Sequence, residues 1–350
     1  MQFKTLYGPV RSGRLGLSLG VDLLGKRICS LDCIYCEVGP TRVHTLERRP
    51  YMPARTILDE LQAWKDTRMP KPEVITLGGL GEPCLNTELE TIINGSRAIY
   101  PDIPVAVLTN STLFHEPEVR RELGAAQVVL PSLDTLVPDE FLRVNAPCKG
   151  VSLERITAGL LAFRTAFSGQ LFLEILLIQG TNDSQENLER LRDFIPRLAP
   201  DRVDVVTMTR PGASPLAKAV DQQTLDAWRA ALVRSSRGST KTAPKSLPRE
   251  LPGVLSGKIS DDFSDRASTQ GNSAATTSWE KHPDTQEMNA ETQRELVLNS
   301  LRRRPQTIEQ VCAALRLDPV QMSAVFAELT AEGAIHRARE LGEDFFQASP

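Results

Sequence analysis

Three of the six cysteines in this chain, Cys29, Cys33 and Cys36, fall within the ten residues ICSLDCIYCE (28–37). Thiolates bind soft metals. A loop of this length can wrap three of them around an iron–sulfur cube and leave the fourth iron without a protein ligand, open to chemistry. Two plainer readings stand beside that one. A structural zinc would need a fourth ligand, and the nearest candidate, His44, sits at a spacing that matches no familiar zinc module. Three small buried hydrophobes could also cluster, since free cysteine packs well in cores.

A second stretch has a different character. TLGGLGEPCLN (76–86) ends an apolar run with glycines, Gly78 and Gly79, whose backbone can approach a ligand closely, followed by the acid Glu82. Further polar residues stand at or inside later apolar runs: Asn110 after VLT, Ser132 and Asp134 around VLPSLD, Glu174 inside LFLEILLI, and Arg210 after VVTMT. A carboxylate in an apolar strand is costly to bury unless it is paired or hydrogen-bonded, so Glu174 is expected to point into a polar cavity. Asp134 and Glu174 are the candidate catalytic carboxylates. Ser132 and Asp134 can hold ribose hydroxyls or substrate, or cap the next turn.

The elements that would position these groups alternate along the chain. VITLGG (74–79), VAVLTN (105–110), QVVLPSL (127–133), LFLEILLI (171–178) and VDVVTMT (203–209) are short, apolar and rich in β-branched residues, as buried parallel strands are. An earlier strand, 14–24, runs into the cysteine loop. Helix-like stretches at 56–65, 88–99, 117–123, 153–167, 184–198 and 225–233 separate and close the strands. Six strand–helix units joined by right-handed crossovers give an α/β fold, an open barrel or a doubly wound sheet, with the polar strand ends at one mouth.

Composition sets the wider limits. With 350 residues, 41% hydrophobic and 24% charged, the chain can bury a substantial core and form more than one unit. A formal charge of −3 gives no overall attraction to a polyanion. The first residues lack the apolar stretch of a secretion signal, and no run reaches the ~18 apolar residues of a membrane span, so a cytoplasmic protein with reduced thiols and no membrane association is expected. Residues 1–234 form the catalytic unit in this reading, and 235–290, dense in Ser, Thr, Pro, Lys and Asp, form a flexible low-complexity linker. Order returns over 291–350. A helix near Leu296–Leu301, a second opening on a Thr307/Gln310 capping box and a third opening at Asp318 lead to a hairpin turning across 340–343. Three helices and a hairpin make a small α+β, winged-helix-like domain. It carries seven Arg and no Lys against nine Asp and Glu, and its third helix has no basic residue. That charge argues against DNA and gives RNA no support.

Cys-x3-Cys-x2-Cys with Tyr35 before its last cysteine resembles the defining loop of the radical S-adenosylmethionine (SAM) superfamily. The phrases YGPVRSGRLGLSLGVDLL, GLGEP, LTN, PSLD, LEILLIQGTND and TMTRPG resemble, in order, the branch related to the wyosine-forming tRNA synthases. The resemblance implies a partial (β/α)6 barrel and a [4Fe-4S] cluster ligated by Cys29, Cys33 and Cys36. It implies SAM as cofactor, reductively cleaved to a 5′-deoxyadenosyl radical that abstracts hydrogen. It further implies that Tyr35 cradles adenine, that Gly78, Gly79 and Glu82 hold the methionine amino group, and that Asn110 and Ser132 belong to the same cofactor site. An external reductant such as flavodoxin or ferredoxin follows, with RNA modification one reaction class among the branch. The best-known relatives hold a second cluster. Here no cysteine precedes Cys29, and Cys84, Cys148 and Cys312 are dispersed. The rival reading is a non-catalytic iron–sulfur redox sensor that signals through the C-terminal domain.

Overall fold

The computed structural model of the protein describes residues 3–67, 71–236, 290–302, 304–315 and 317–349. The chain begins with two antiparallel strands, β1 (Leu6–Ser12) and β2 (Gly16–Asp22), turning tightly at 13–15. The short strands β3 (Ile28–Cys29) and β4 (Val43–His44) bracket the cysteine loop and pair with each other. Then α1 (Ala54–Lys65), β5 (Val74–Gly78), α2 (Leu89–Ile99), β6 (Val105–Thr109), α3 (Pro117–Leu123) and β7 (Val128–Pro131) follow. After α4 (Pro138–Val144) and α5 (Leu153–Ala166) come β8 (Gln170–Leu177), α6 (Gln185–Leu198), β9 (Arg202–Thr207) and α7 (Gln222–Ser236).

The sheet has seven strands in the order β1-β2-β5-β6-β7-β8-β9, with every pairing after β1–β2 parallel. Six parallel strands follow one another in chain order and never reverse. A doubly wound sheet reverses at a switch point, so this winding gives the partial (β/α)6 barrel. Alternate side chains along each strand go to opposite faces. One set (Leu19, Val21, Ile75, Leu77, Val105, Val107) packs against the helices. The other (Leu15, Val74, Ala106, Val128, Leu130, Phe172) packs inside the curve of the sheet. Both faces are covered, which is why the strands read as unbroken apolar runs.

Strand β1 and helix α4 are additions to the sequence reading. The former contains Gly8, Pro9 and Arg11 and looks like a loop by composition. It is a strand because it lies at the sheet edge, where a proline costs no ladder bond facing a neighbour. Helix α4 has Pro138 in its first turn, where the ring's fixed φ is favourable and no N–H is lost.

Helix α7 continues to Ser236 and α8 begins at Ala290. The stretch read as a linker therefore falls, apart from its end residues, on 237–289, outside the described residues. Beyond it, α8 (Ala290–Leu301), α9 (Ile308–Leu315) and α10 (Pro319–Ala331) enclose a core of Val297, Leu301, Val311, Leu315, Phe326 and Leu329. The predicted capping box forms, with Thr307 N donating to Gln310 Oε1 at 3.4 Å and Gln310 N to Thr307 Oγ1 at 3.2 Å. Asp318 caps α10 by accepting from Val320 N. The hairpin pairs β10 (Ile335–Glu340) with β11 (Glu343–Ala348) across Leu341 and Gly342, whose φ values of 53° and 82° are those of a primed two-residue turn. Phe346 from the hairpin meets the Phe326 ring edge-on at 4.9 Å. Helices α8 and α9 pack on β1, one of the two open edges of the barrel sheet. No helix among the described residues is long and apolar enough to cross a membrane.

Gly81 lies where the loop after β5 crosses β3. A Cβ there would stand 1.8 Å from the Ile28 carbonyl oxygen and 2.6 Å from its carbon, backbone atoms that cannot rotate aside. Gly81→Ala is expected to lower stability by roughly 1–3 kcal/mol, the usual cost of overpacking. Gly13→Ala, whose Cβ meets nothing within 4 Å, should leave it nearly unchanged. Denaturant midpoints of the two variants check this.

Candidate functional site

The cysteine loop leaves β3 and runs across the carboxyl ends of the parallel strands, where neighbouring loops tie it down from several sides. The end of α4 and the turn after it supply acceptors, Val144 O for Ile34 N at 3.0 Å and Asn145 O for Asp32 N at 3.0 Å. Cys148 N donates to Ser30 O at 2.9 Å and Ser214 N to Ile34 O at 2.9 Å. Within the loop, Thr41 N donates to Asp32 Oδ1 at 2.7 Å and Cys36 N to Cys33 O at 3.1 Å. On the other side Ser30 Oγ and Thr112 Oγ1 share a hydrogen bond of 2.6 Å. Gly212 approaches the loop so closely that a Cβ would lie 2.9 Å from Tyr35 Cα.

Asp134 is a further buried anchor, 3% exposed. Its Oδ2 accepts from the Tyr35 hydroxyl at 2.5 Å and from Asn145 Nδ2 at 2.7 Å, and its Oδ1 accepts from Leu176 N at 2.9 Å. One carboxylate thus joins the cysteine loop, the turn after α4 and strand β8. Burial raises its pKa, although all three hydrogen bonds pull the other way. Glu82 is built similarly. It is 2% exposed, with Oε1 accepting from Cys84 N at 3.0 Å and Thr109 Oγ1 at 2.8 Å, and Oε2 from Asn110 N at 2.6 Å.

Two residues expected to present acids toward the mouth therefore hold strand ends together. The cause is local: Glu82 precedes a short 3-10 turn, Pro83–Leu85, whose free amide it caps. Glu174 differs from expectation as well. It points inside the barrel, as the strand alternation requires, but it meets the Arg14 guanidinium from the β1–β2 turn in an ion pair rather than an open polar cavity. Arg202 and Asp204 of β9 form a further ion pair at 2.7 Å.

Tyr35, Asn110, Ser132 and Asp134 come together, lining one cavity of about 50 Å³ with Leu31 and Asn145. Gly78 and Gly79 lie on the adjoining strand end. Gly79 has a φ of 103°, and a Cβ on it would press within 2.8 Å of Asp22, which explains the glycine there. Asp22 is fully buried and accepts from Leu24 N, Gly25 N and Leu80 N at 3.2, 3.2 and 3.3 Å. Asp22 and Asn145 were missed in the sequence. Asp22 closes an apolar strand just before a glycine turn, a signal that could have found it. Asn145 in VNAPC carries no such signal.

The three thiols are half-buried and free. Burial, then the Glu82 charge, pushes the Cys29 thiol up to about 12, and burial likewise raises Cys33 and Cys36. Among the described residues no three His, Cys, Asp or Glu side chains converge on one ion-sized point. A cube asks for something else, since each thiolate binds a different iron, and three soft donors on one loop suit it. Of the remaining cysteines, Cys148 lies beside the loop, its backbone N donating to Ser30 O, and the other two stand apart. Cys84 Sγ donates to Thr109 Oγ1 at 3.5 Å inside the core, and Cys312 is buried in the C-terminal domain.

The C-terminal domain reaches this loop. Glu37, directly after Cys36, pairs with Arg210 Nη1 at 3.3 Å and Arg304 Nη1 at 3.6 Å. Arg210, in the segment after β9, also donates from Nε to Gln310 Oε1 at 3.3 Å.

Residues 25–194 match the family described as the Radical SAM superfamily. A UPF0026 protein of Synechocystis is 35% identical over 210 residues, covering 60% of this chain and 77% of that one. A GTPase Obg of Brachyspira hyodysenteriae is 35% identical over 228 residues, 65% of this chain, and the chain spans only 33% of that protein's length. The crystal structure of a radical SAM methyltransferase from Sphaerobacter thermophilus aligns at a TM-score of 0.46 and 17% identity, over 62% of this chain and 63% of that one. Members of the superfamily use a [4Fe-4S] cluster and SAM. The chain belongs to the UPF0026 family, and through residues 25–194 to the radical SAM superfamily.

Proposed function

We propose that this chain cleaves SAM reductively and directs the resulting hydrogen abstraction at a substrate held in the barrel mouth. The observation that carries the reading is the placement of Cys29, Cys33 and Cys36 on one loop fastened across the carboxyl ends of the strands, the end at which barrels of this kind place their chemistry. In this reading Cys29, Cys33 and Cys36 would hold a [4Fe-4S] cluster, whose chemistry when bound would be one-electron reductive cleavage of SAM to methionine and a 5′-deoxyadenosyl radical. The protein's own residues do the rest by position. Gly78 and Gly79 offer backbone where a side chain would crowd the cofactor. Tyr35, Asn110 and Ser132 present polar atoms to it. Glu82 fixes Asn110 through the latter's backbone amide.

Asp134 acts as a positioning residue, because its hydrogen bonds go to Tyr35, Asn145 and Leu176. Glu174, paired with Arg14, lines the barrel beneath the mouth. The C-terminal domain forms part of the mouth's wall through Arg304 and Gln310, and so contributes to what substrate is admitted. The electron comes from a flavodoxin- or ferredoxin-like donor. The net charge favours neither DNA nor RNA as substrate, and a peptide or small metabolite fits it as well.

A sensor reading has one observation in its favour: the ion pair that links Glu37, beside Cys36, to Arg304 of the C-terminal domain. The two readings part on product. After anaerobic reconstitution and reduction, an enzyme releases 5′-deoxyadenosine and methionine from SAM; a sensor takes up iron and sulfide and releases neither. Cys33→Ala is expected to lose both the cluster's visible absorption and 5′-deoxyadenosine formation, and Cys312→Ala to keep both. The opposite pattern would sink the assignment.

Asp134→Ala leaves the Leu176 amide, the Asn145 amide and the Tyr35 hydroxyl short of a buried acceptor. Each buried donor left unsatisfied costs roughly 1–3 kcal/mol. The denaturant midpoint should fall with little change in slope, and the variant should take up less iron on reconstitution than the parent. An unchanged midpoint would remove Asp134 from this role.

A further inference from the structure

We propose that Asn110 and Asn145 are positioning residues for the cysteine sulfurs themselves, each aiming a side-chain N–H at one sulfur and so raising the reduction potential of the cluster those sulfurs hold. This rests on the cluster assignment above and adds to it two groups that touch sulfur without being ligands. Asn110 Nδ2 lies 3.4 Å from Cys29 Sγ, and Asn145 Nδ2 lies 3.4 Å from Cys33 Sγ.

The orientation of each amide is dictated by its other partners. Asn110 Oδ1 accepts from Thr112 N at 3.1 Å and Thr112 Oγ1 at 2.8 Å, and a backbone N–H can only donate. The amide nitrogen must therefore face the cysteine side, where it also donates to Ser30 Oγ at 2.9 Å. Asn145 Nδ2 donates to Asp134 Oδ2 at 2.7 Å, and that carboxylate is already committed to Tyr35 and Leu176. Turning the Asn145 amide over would set its oxygen against the carboxylate. Both nitrogens are thus locked toward sulfur by bonds that do not involve sulfur.

The supply of donors around the loop is distributed. Cys29 has Asn110 and the Leu31 amide, Cys33 has Asn145, and Cys36 has the Val38 amide. Hydrogen bonds to ligating sulfur draw electron density from the cluster and stabilise its more negative, reduced form, so they move the couple upward. Two amides from separate loops, one after β6 and one after α4, make that setting a property of the tertiary fold rather than of the cysteine motif.

The test is a redox titration of anaerobically reconstituted, full-length protein, followed by electron paramagnetic resonance of the reduced cluster. Asn110→Ala replaces one neutral side chain by another, so a shift does not come from added charge. The expected result is an intact four-iron cluster whose reduced-to-oxidised ratio at fixed applied potential falls about tenfold, which is about 59 mV for a one-electron couple. An intact cluster with an unchanged or more positive midpoint overturns the proposal. Should Asn110→Ala fail to hold iron, the parent decides. Protein grown with ¹⁵N-asparagine should show a weak ¹⁵N coupling to the reduced cluster in pulsed electron–nuclear double resonance, and its absence overturns the proposal. If the parent itself takes up no iron and sulfide, the cluster assignment falls and this proposal with it. A failure of the proposal alone appears as a normal cluster with no asparagine coupling and no shift.

Discussion

The arrangement turns on a buried carboxylate. A loop that must present three sulfurs cannot bury much apolar surface of its own, so its shape has to be imposed by hydrogen bonds from structure that is already rigid. Asp134 does this from the end of β7. It fixes the Tyr35 side chain inside the cysteine motif and Asn145 beside it, and draws β8 into the same knot through Leu176 N. A carboxylate so deep is tolerated because both of its oxygens accept hydrogen bonds, two on Oδ2 and one on Oδ1. The knot is therefore all or nothing: a partner removed leaves the rest of it buried and unsatisfied.

The one-way winding of the sheet supplies the rigid frame. Because β2, β5, β6, β7, β8 and β9 follow in chain order, each strand ends beside the last, and a loop lying across those ends meets residues far apart in sequence. Glu82, Asn110, Asp134 and Asn145 reach the cysteine loop from four separate connections. Winding in one direction also leaves two open edges, β1 and β9. Helices α8 and α9 lie on β1, and Arg304 and Gln310 reach Glu37 and Arg210, the latter just past β9. The C-terminal domain thus touches both flanks of the gap that an incomplete barrel leaves. Its residue Arg304 is turned toward the barrel, against Glu37.

The strands and most helices were legible because both faces of the sheet are covered, which makes each strand a continuous apolar run of near-correct length. The Thr307/Gln310 capping box and the Asp318 cap were legible because their chemistry is local. The β1 edge strand was not, since Gly8 and Pro9 carry turn character and only pairing with β2 makes the segment extended. The clustering of Cys29, Cys33 and Cys36 is plain in the sequence, whereas the partners of Glu82, Asp134 and Glu174 are not. Sequence identifies an acid at a strand end, but whether it faces solvent, an arginine or a backbone amide depends on partners tens of residues away. Asp134 and Leu176 are 42 positions apart, and Asn110 and Cys29 are 81 apart.

That distance bears on how chemistry can vary on such a frame. Cys29, Cys33 and Cys36 are confined to one loop. The groups that touch the sulfurs come from the turns after β6 and α4, which are free to differ while the loop stays as it is. An amide aimed at sulfur there, a hydroxyl, or an apolar side chain would each give the same cysteine motif a different readiness to accept an electron. In this chain both positions carry asparagine with its nitrogen turned toward a cysteine sulfur, and each amide is held there by a partner other than sulfur, Thr112 for Asn110 and Asp134 for Asn145.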